Sequence, residues 1–305
     1  MPRATEDDKL ALLQHFEVYV FDLDGTLWLG SKIIPGAIEV LQLLRSQKKT
    51  IRFVTNNASK SRAGFLAKLK LLGVQASLEE VYSSSYAAAA YLEGINFKKK
   101  VYVVGEEGIV EELELHGIKA LGGPADRYKE VDWSSEPRMD IDPDIGAVVV
   151  GLDRSISYFK IQYGTQCLLQ PDCLFLATNT DARGNLSDKQ EWAGAGTMVY
   201  ALVGASEREP TVLGKPSSFM LDHIVKVTGI SSNDKILIVG DRLDTDIQWG
   251  LENGAATLLV LTGVTSEEQV LKPENLIQPM LYIDSIADLL TIKSQLSTGS
   301  YCSIS

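Results

Sequence analysis

The chain has 305 residues, 45% hydrophobic and 23% charged, the composition of a globular protein of about two domains. Its formal net charge of −11 argues against a general affinity for nucleic acid or anionic membrane, although a metal and a few donors can still draw in a small anion. No run approaches the roughly 18 consecutive apolar residues of a membrane span. The three cysteines, Cys167, Cys173 and Cys302, have neither disulfide-framework nor zinc spacing, which predicts a reducing, cytoplasmic setting.

Residues 1–15 read as a charged, partly helical lead-in, with no apolar signal region and with acids that disfavour a transit peptide. Val18–Phe21 is a β-branched and aromatic run suited to a buried parallel strand, and it ends in Asp22 and Asp24, followed by Gly25-Thr26. Residues i and i+2 of a strand share a face, so the two carboxylates can address one site, where they repel unless a cation, a proton or ordered donors compensate. An ordinary turn or helix cap is the plainer reading. A calcium loop is excluded, because its twelfth position, counted from Asp22, is Ile33 rather than Glu.

The pattern continues with a helix over 38–45, a strand Thr50–Thr55, the polar turn Asn56-Asn57-Ala58-Ser59, and a helix over 61–72 ending at Gly73. A short strand at Val81-Tyr82 precedes Ser83–Ser85 and an Ala-rich helix through Leu92. This alternation predicts a doubly wound parallel sheet. The rhythm then restarts, with strands at 101–104, 147–150 and 174–177, helices at 109–116, 158–170 and 194–203, and a Pro-containing loop over 122–143. A block with its own strands and helices is an inserted domain rather than a loop. The first pattern resumes near Thr211: helix 217–228, strand 235–239, helix 244–253, strand 257–261, a capping-box start at Thr265, strand 281–283 and a helix over 285–296.

Three further stretches lie at predicted strand ends, which share one edge of a parallel sheet. Thr55-Asn56-Asn57 can offer a hydroxyl and backbone N–H groups to a phosphate, or is simply a polar turn. Lys215, between Gly214 and Pro216, reads by itself as a solvated lysine. Val239-Gly240-Asp241-Arg242-Leu243-Asp244-Thr245-Asp246 runs an apolar strand into three acids, costly unless a divalent cation gathers them. Asp244 can instead cap the next helix, and Arg242 can pair with an acid. His15, His116 and His223 fall on predicted helices, away from these turns.

Phe21-Asp22-Leu23-Asp24-Gly25-Thr26-Leu27, taken with the three later stretches in this order, resembles the motif set of haloacid dehalogenase-type phosphatases. The likeness runs from about Phe16 to Leu296 and is nearest to the p-nitrophenyl phosphatase and phosphoglycolate phosphatase branch. It implies an α/β fold: a Rossmann-like doubly wound core (16–96 and 206–297) with an inserted, smaller α/β cap (97–205) that closes over the site, and a flexible tail (298–305). It implies that Asp22 is the nucleophile, forming an aspartyl phosphate, and that Asp24 is the general acid and then base. It implies Mg²⁺ held by Asp22, the Asp24 carbonyl and Asp241, with Asp246 behind them orienting Lys215 or a water. Thr55, Asn56, Asn57 and Lys215 would hold the phosphoryl oxygens. The stretch Thr178–Arg183, continuing to Gly194–Thr197, resembles the family's specificity loop, with Asp181 and Arg183 as substrate-reading candidates; Arg183 suits a carboxylate such as that of phosphoglycolate.

The substrate so implied is a small phosphomonoester, first 2-phosphoglycolate, with p-nitrophenyl phosphate as an artificial one. Pyridoxal phosphate, nucleotides, sugar phosphates and phosphoproteins are the alternatives. A receiver-like or non-catalytic phosphate-binding module is the reading from a different class; Asp24 speaks against a receiver, because an acid there promotes hydrolysis. A homodimer through the cap follows from the resemblance. The terminal Cys302-Ser303-Ile304-Ser305 fits a prenylation pattern at Cys302, although no polybasic segment precedes it.

Overall fold

Val18–Phe21 is buried at all four positions, and Ile236–Gly240 at all five. Strands with no solvent-facing alternation are those of a parallel sheet covered on both sides, and that is how they pair in the computed structural model. It describes residues 2–134, 136–187 and 190–292; Cys302 and the tail 298–305 lie outside the described residues.

The chain forms two compact units. The first takes in the residues up to Val54, Leu69–Ala76 and the chain from Leu221 on; the second takes in Thr55–Lys68 and Ser77–Met220. In the first, the strands Leu281–Ile283, Ala256–Val260, Ile236–Gly240, Val18–Phe21 and Thr50–Thr55 lie side by side in that order, all parallel. Phe21 is in register with Val239 and with Phe53, so the residues that follow, Asp22 and Asp241, emerge at one edge of the sheet. At the Leu281–Ile283 border the N-terminal arm joins: Ala4 N–H donates to the Tyr282 carbonyl at 3.0 Å, Arg3 pairs with Glu267 and Asp284, and the helix Glu6–His15 follows. That helix is capped by Thr5, whose hydroxyl accepts from Asp8 N–H while Asp8 accepts from Thr5 N–H.

The second unit has its own parallel sheet, in the order Thr211–Val212, Leu174–Ala177, Ile145–Val150, Lys100–Val104, Ala120–Gly122. Val148, Val150, Phe175, Leu202 and Val199 share its core with the two buried cysteines, Cys167 and Cys173. Helix Ser84–Gly94 packs against helix Glu107–Leu115 in this unit.

The structure also departs from the expected elements. Ala120–Gly122 is a strand inside a stretch read partly as loop, its three half-buried residues giving no apolar run to recognise. Thr211–Val212 borders the second unit's sheet instead of restarting the first. Arg183–Ser187 and Gln190–Ala193 form an antiparallel hairpin where no strand was expected. The expected helix over 244–253 is a π turn, Leu243–Ile247, followed by a short α-helix, Gln248–Glu252. Beyond Ser285 the chain turns as the 3₁₀ segment Ile286–Leu290 rather than as an α-helix.

Candidate active site

In the first unit, Asp22, Asp241 and Asp246 each offer a carboxylate oxygen, and these oxygens lie within 4.8 Å of one another. Asp241 and Asp246 are buried and Asp22 is half-buried. Each acid is placed by backbone geometry. Asp22 follows the first strand, its N–H donating to the Val239 carbonyl at 2.9 Å. Asp241 follows the parallel neighbour; its carboxylate accepts from Val264 N–H at 2.7 Å, and its carbonyl from Thr265 N–H at 3.1 Å. Asp246 rides on the π turn, which Ile247 N–H closes onto the Arg242 carbonyl, and its carboxylate accepts from Arg242 N–H at 3.1 Å. The extra residue in this turn departs from the α-helix expected there, as π turns at functional sites often do.

Three glycines crowd this cluster. A β-carbon at Gly25 or at Gly263 would land on the Asp241 carboxylate, and one at Gly240 on the side chain of Asp246. Gly25 also has φ +94°, a left-handed conformation that an L side chain resists. The donor set, three carboxylates with nothing but oxygen to offer, is that of a hard divalent cation, and magnesium fits it. Asp24 stands beside the cluster rather than in it. Its Oδ1 accepts from the buried Trp28 indole N–H at 2.6 Å, a contact that fixes the carboxylate's orientation. Arg242 pairs with Asp244 at 2.7 Å; burial raises the Asp244 pKa, but the Arg242 hydrogen bond and charge hold it below the usual carboxylate range.

The second unit gathers the other candidates. Thr55 closes its strand and is buried, its hydroxyl accepting from Asn57 N–H at 3.1 Å. Asn57 Oδ1 accepts from both Ser59 N–H and Ser59 O–H. Asn56 is buried and joins three segments. Its Oδ1 accepts from Lys215 N–H at 2.8 Å, and its Nδ2 donates to the Lys215 carbonyl at 3.1 Å and to the Asp181 carboxylate at 3.3 Å. Lys215 is buried, follows Gly214 and precedes Pro216 in a cis peptide. Asp181 is half-buried and Arg183, the first residue of the hairpin, is exposed. His15 ends a helix, His223 lies within one and His116 just follows one, and none of them joins these clusters.

Several placing residues were missed in the sequence. Gly263 and Val264 hold Asp241 from the loop after Ala256–Val260, and a Gly at that strand end was the available signal. Trp28 carried none. Ser83–Ser85 was read only as cap material: Ser83 does cap the helix, while Ser84 O–H donates to the Asn56 carbonyl.

Comparison with known proteins gives a consistent set of likenesses. The model of the haloacid dehalogenase-like hydrolase family matches residues 19–119, and a second, HAD-hydrolase-like, matches residues 212–289. "Phosphoglycolate phosphatase 1A, chloroplastic" of Arabidopsis thaliana is 50% identical over 300 residues, covering 96% of this chain and 83% of its own. The 4-nitrophenylphosphatase of Schizosaccharomyces pombe is 39% identical over 282 residues, covering 91% and 94%. The crystal structure of a glycerol phosphate phosphatase of Mycobacterium tuberculosis in complex with magnesium superposes with TM-score 0.74 at 29% identity, covering 91% of this chain and 77% of that one.

Proposed function

This chain belongs to the haloacid dehalogenase-like hydrolases, and from that membership we propose a magnesium-dependent phosphatase of small phosphomonoesters, with 2-phosphoglycolate as its first substrate. The observation that carries the chemistry is the close cluster of Asp22, Asp241 and Asp246, two of them buried and one half-buried. Three carboxylates this close are costly without a cation among them. The 50% identity to a phosphoglycolate phosphatase over 96% of the chain supports the substrate.

Roles follow residue by residue. Asp22 attacks phosphorus, and the bond from phosphorus to the ester oxygen breaks as the bond to the Asp22 carboxylate forms, splitting one hard step into two. Asp24 gives its proton to the departing alkoxide, then takes one from the water that cleaves the aspartyl phosphate. The Trp28 indole keeps Asp24 in one orientation through both steps. Thr55, Asn57, the Asn56 backbone and Lys215 hold the phosphoryl oxygens and offset the charge that spreads over them. Asp22, Asp241, Asp246 and the Asp24 carbonyl would hold magnesium, which neutralises charge on the phosphate. Asp246 is thereby drawn toward the ion itself, beyond an orienting role for Lys215. Asp181 and Arg183 read the remainder of the substrate, Arg183 by pairing with the glycolate carboxylate.

Residues 97–205 are the cap domain in this reading, and a homodimer forms through it, which light scattering would check. Cytoplasmic residence belongs to it too; among the described residues no helix is long and apolar enough to cross a membrane. The Arabidopsis relative is named chloroplastic, so fractionation decides between the two compartments. Prenylation at Cys302 is the remaining element, tested by mass spectrometry of native protein.

The central test is phosphate release from a metabolite panel with magnesium, with Asp22→Asn as the control. The highest kcat/KM on phosphoglycolate, lost in Asp22→Asn, is expected. Preference for glycerol phosphate or pyridoxal phosphate would overturn the substrate, and an active Asp22→Asn the mechanism.

A further inference from the structure

Asn56 is 8% exposed, and each polar atom of its side chain is engaged. Its Oδ1 accepts from Lys215 N–H at 2.8 Å and its Nδ2 donates to Lys215 C=O at 3.1 Å. Those are the two bonds that a neighbouring strand would make to that residue. The remaining amide hydrogen goes to the Asp181 carboxylate. The Asn56 carbonyl is held in turn by Asn179 Nδ2 at 2.7 Å and by the Ser84 hydroxyl. No side chain fits between: a β-carbon at Gly214 would meet Asn56 Oδ1 at 2.7 Å and Asn179 Cβ at 3.1 Å. The side-chain amide therefore substitutes for secondary structure at the residue after Gly214, where the strand Thr211–Val212 has already ended.

We infer that Asn56 is a positioning residue for Lys215, its amide fixing the main chain from which the lysine ammonium reaches phosphate. This rests on the phosphate-binding role of Lys215 proposed above. A lysine stem is flexible in water, but Lys215 is buried, and among packed neighbours the reach of its ammonium is set by where its backbone sits. Small displacements of a gripping group are expensive for the reaction. Buried amide bonds of this kind are not replaced by water when one partner is removed, so the backbone of Lys215 would be left unsatisfied and would shift.

The test is a double-mutant cycle read as the Kd of inorganic phosphate, by ³¹P NMR titration with magnesium present. Lys215→Ala and Asn56→Ala are each expected to weaken phosphate about ten-fold. The double variant should bind within about two-fold of Lys215→Ala alone, because the Asn56 side chain acts only through the lysine, while the Asn56 main chain is retained in both variants. A merely structural role would instead give additive losses, and that result would overturn the inference. So would an unchanged Kd in Asn56→Ala while Lys215→Ala is weakened. If Lys215→Ala itself binds phosphate normally, the phosphate role of the lysine falls, and the inference falls with it. Should Asn56→Ala fail to fold, Asn56→Gln keeps the amide and displaces it by one methylene, and the same cycle is run with it. Phosphate binding should then weaken, with the double variant again within about two-fold of Lys215→Ala alone; additive losses count against the inference.

Discussion

A β-carbon on Gly25 would occupy the place of the Asp241 carboxylate. The first strand's turn and the second acid of the cation cluster are thus fitted together without a methyl group to spare, and Gly25 adds a left-handed φ of +94°. Gly25→Ala is expected to lower magnesium-dependent p-nitrophenyl phosphate hydrolysis roughly 100-fold, the scale of an ångström-sized misplacement. Steady-state kinetics check this, with circular dichroism confirming the fold. Gly229, also at positive φ but with open space about its β-position, is the control, and Gly229→Ala should leave kcat/KM unchanged.

The indole of Trp28 donates to Asp24 at 2.6 Å. Trp28→Phe keeps the ring in its buried slot and removes the N–H. If Asp24 must protonate the leaving oxygen, the loss in kcat falls hardest on an alkoxide and lightly on p-nitrophenolate, which departs with less help. The expected result is about a ten-fold larger loss on phosphoglycolate than on p-nitrophenyl phosphate, measured side by side. Equal losses would reduce the contact to packing.

Removing magnesium leaves Asp22, Asp241 and Asp246 facing one another. Thermal denaturation in EDTA should therefore give a lower Tm than in saturating magnesium, by the linkage that any ligand of the native state obeys. Asp241→Asn reduces the repulsion and retains an acceptor for Val264 N–H, so its Tm in EDTA should be at or above that of the parent while its response to magnesium is largely lost. A lower Tm in EDTA for this variant would mean that repulsion is not what the ion relieves.

Glu106 accepts from the Arg154 guanidinium in two bonds of 2.9 Å, and from Arg154 N–H as well. The Arg154 side-chain hydrogen bond, against the opposing effect of burial, holds the Glu106 carboxyl below its ordinary 4.5. A folded pKa below the unfolded one stabilises the native state fully above that ordinary value, and the contribution fades as the pH falls through the folded value. Because the Arg154 side chain is 63% exposed, the contribution is about 1 kcal/mol or less. The Tm gap between the parent and Glu106→Gln should be present at pH 7 and narrow as the pH falls below the ordinary carboxyl value. A gap independent of pH would assign the effect to packing.

Much of this was legible in the chain itself, and what was not has physical reasons. The buried strands announced themselves as unbroken apolar runs, and Asp22, Asp24 and Asp241 stood where such runs stop, whereas Lys215 by itself read as a solvated lysine. The π turn at Leu243–Ile247 was not legible, since an inserted residue leaves the local helical pattern intact. Nor was the pairing of Thr211–Val212 with Leu174–Ala177, because two residues carry no periodicity. The link of Asn56 to Lys215 spans 159 positions, and nothing near either residue signals it.

The N-terminal arm covers the open hydrogen-bonding side of Leu281–Ile283 with Ala4, and Arg3 anchors it on two acids. Deleting residues 2–5 would uncover a parallel edge ready to recruit foreign strands. Short truncations made to ease crystallisation are therefore expected to cost solubility while sparing the catalytic carboxylates, and an affinity tag is better carried where it does not lever this arm away.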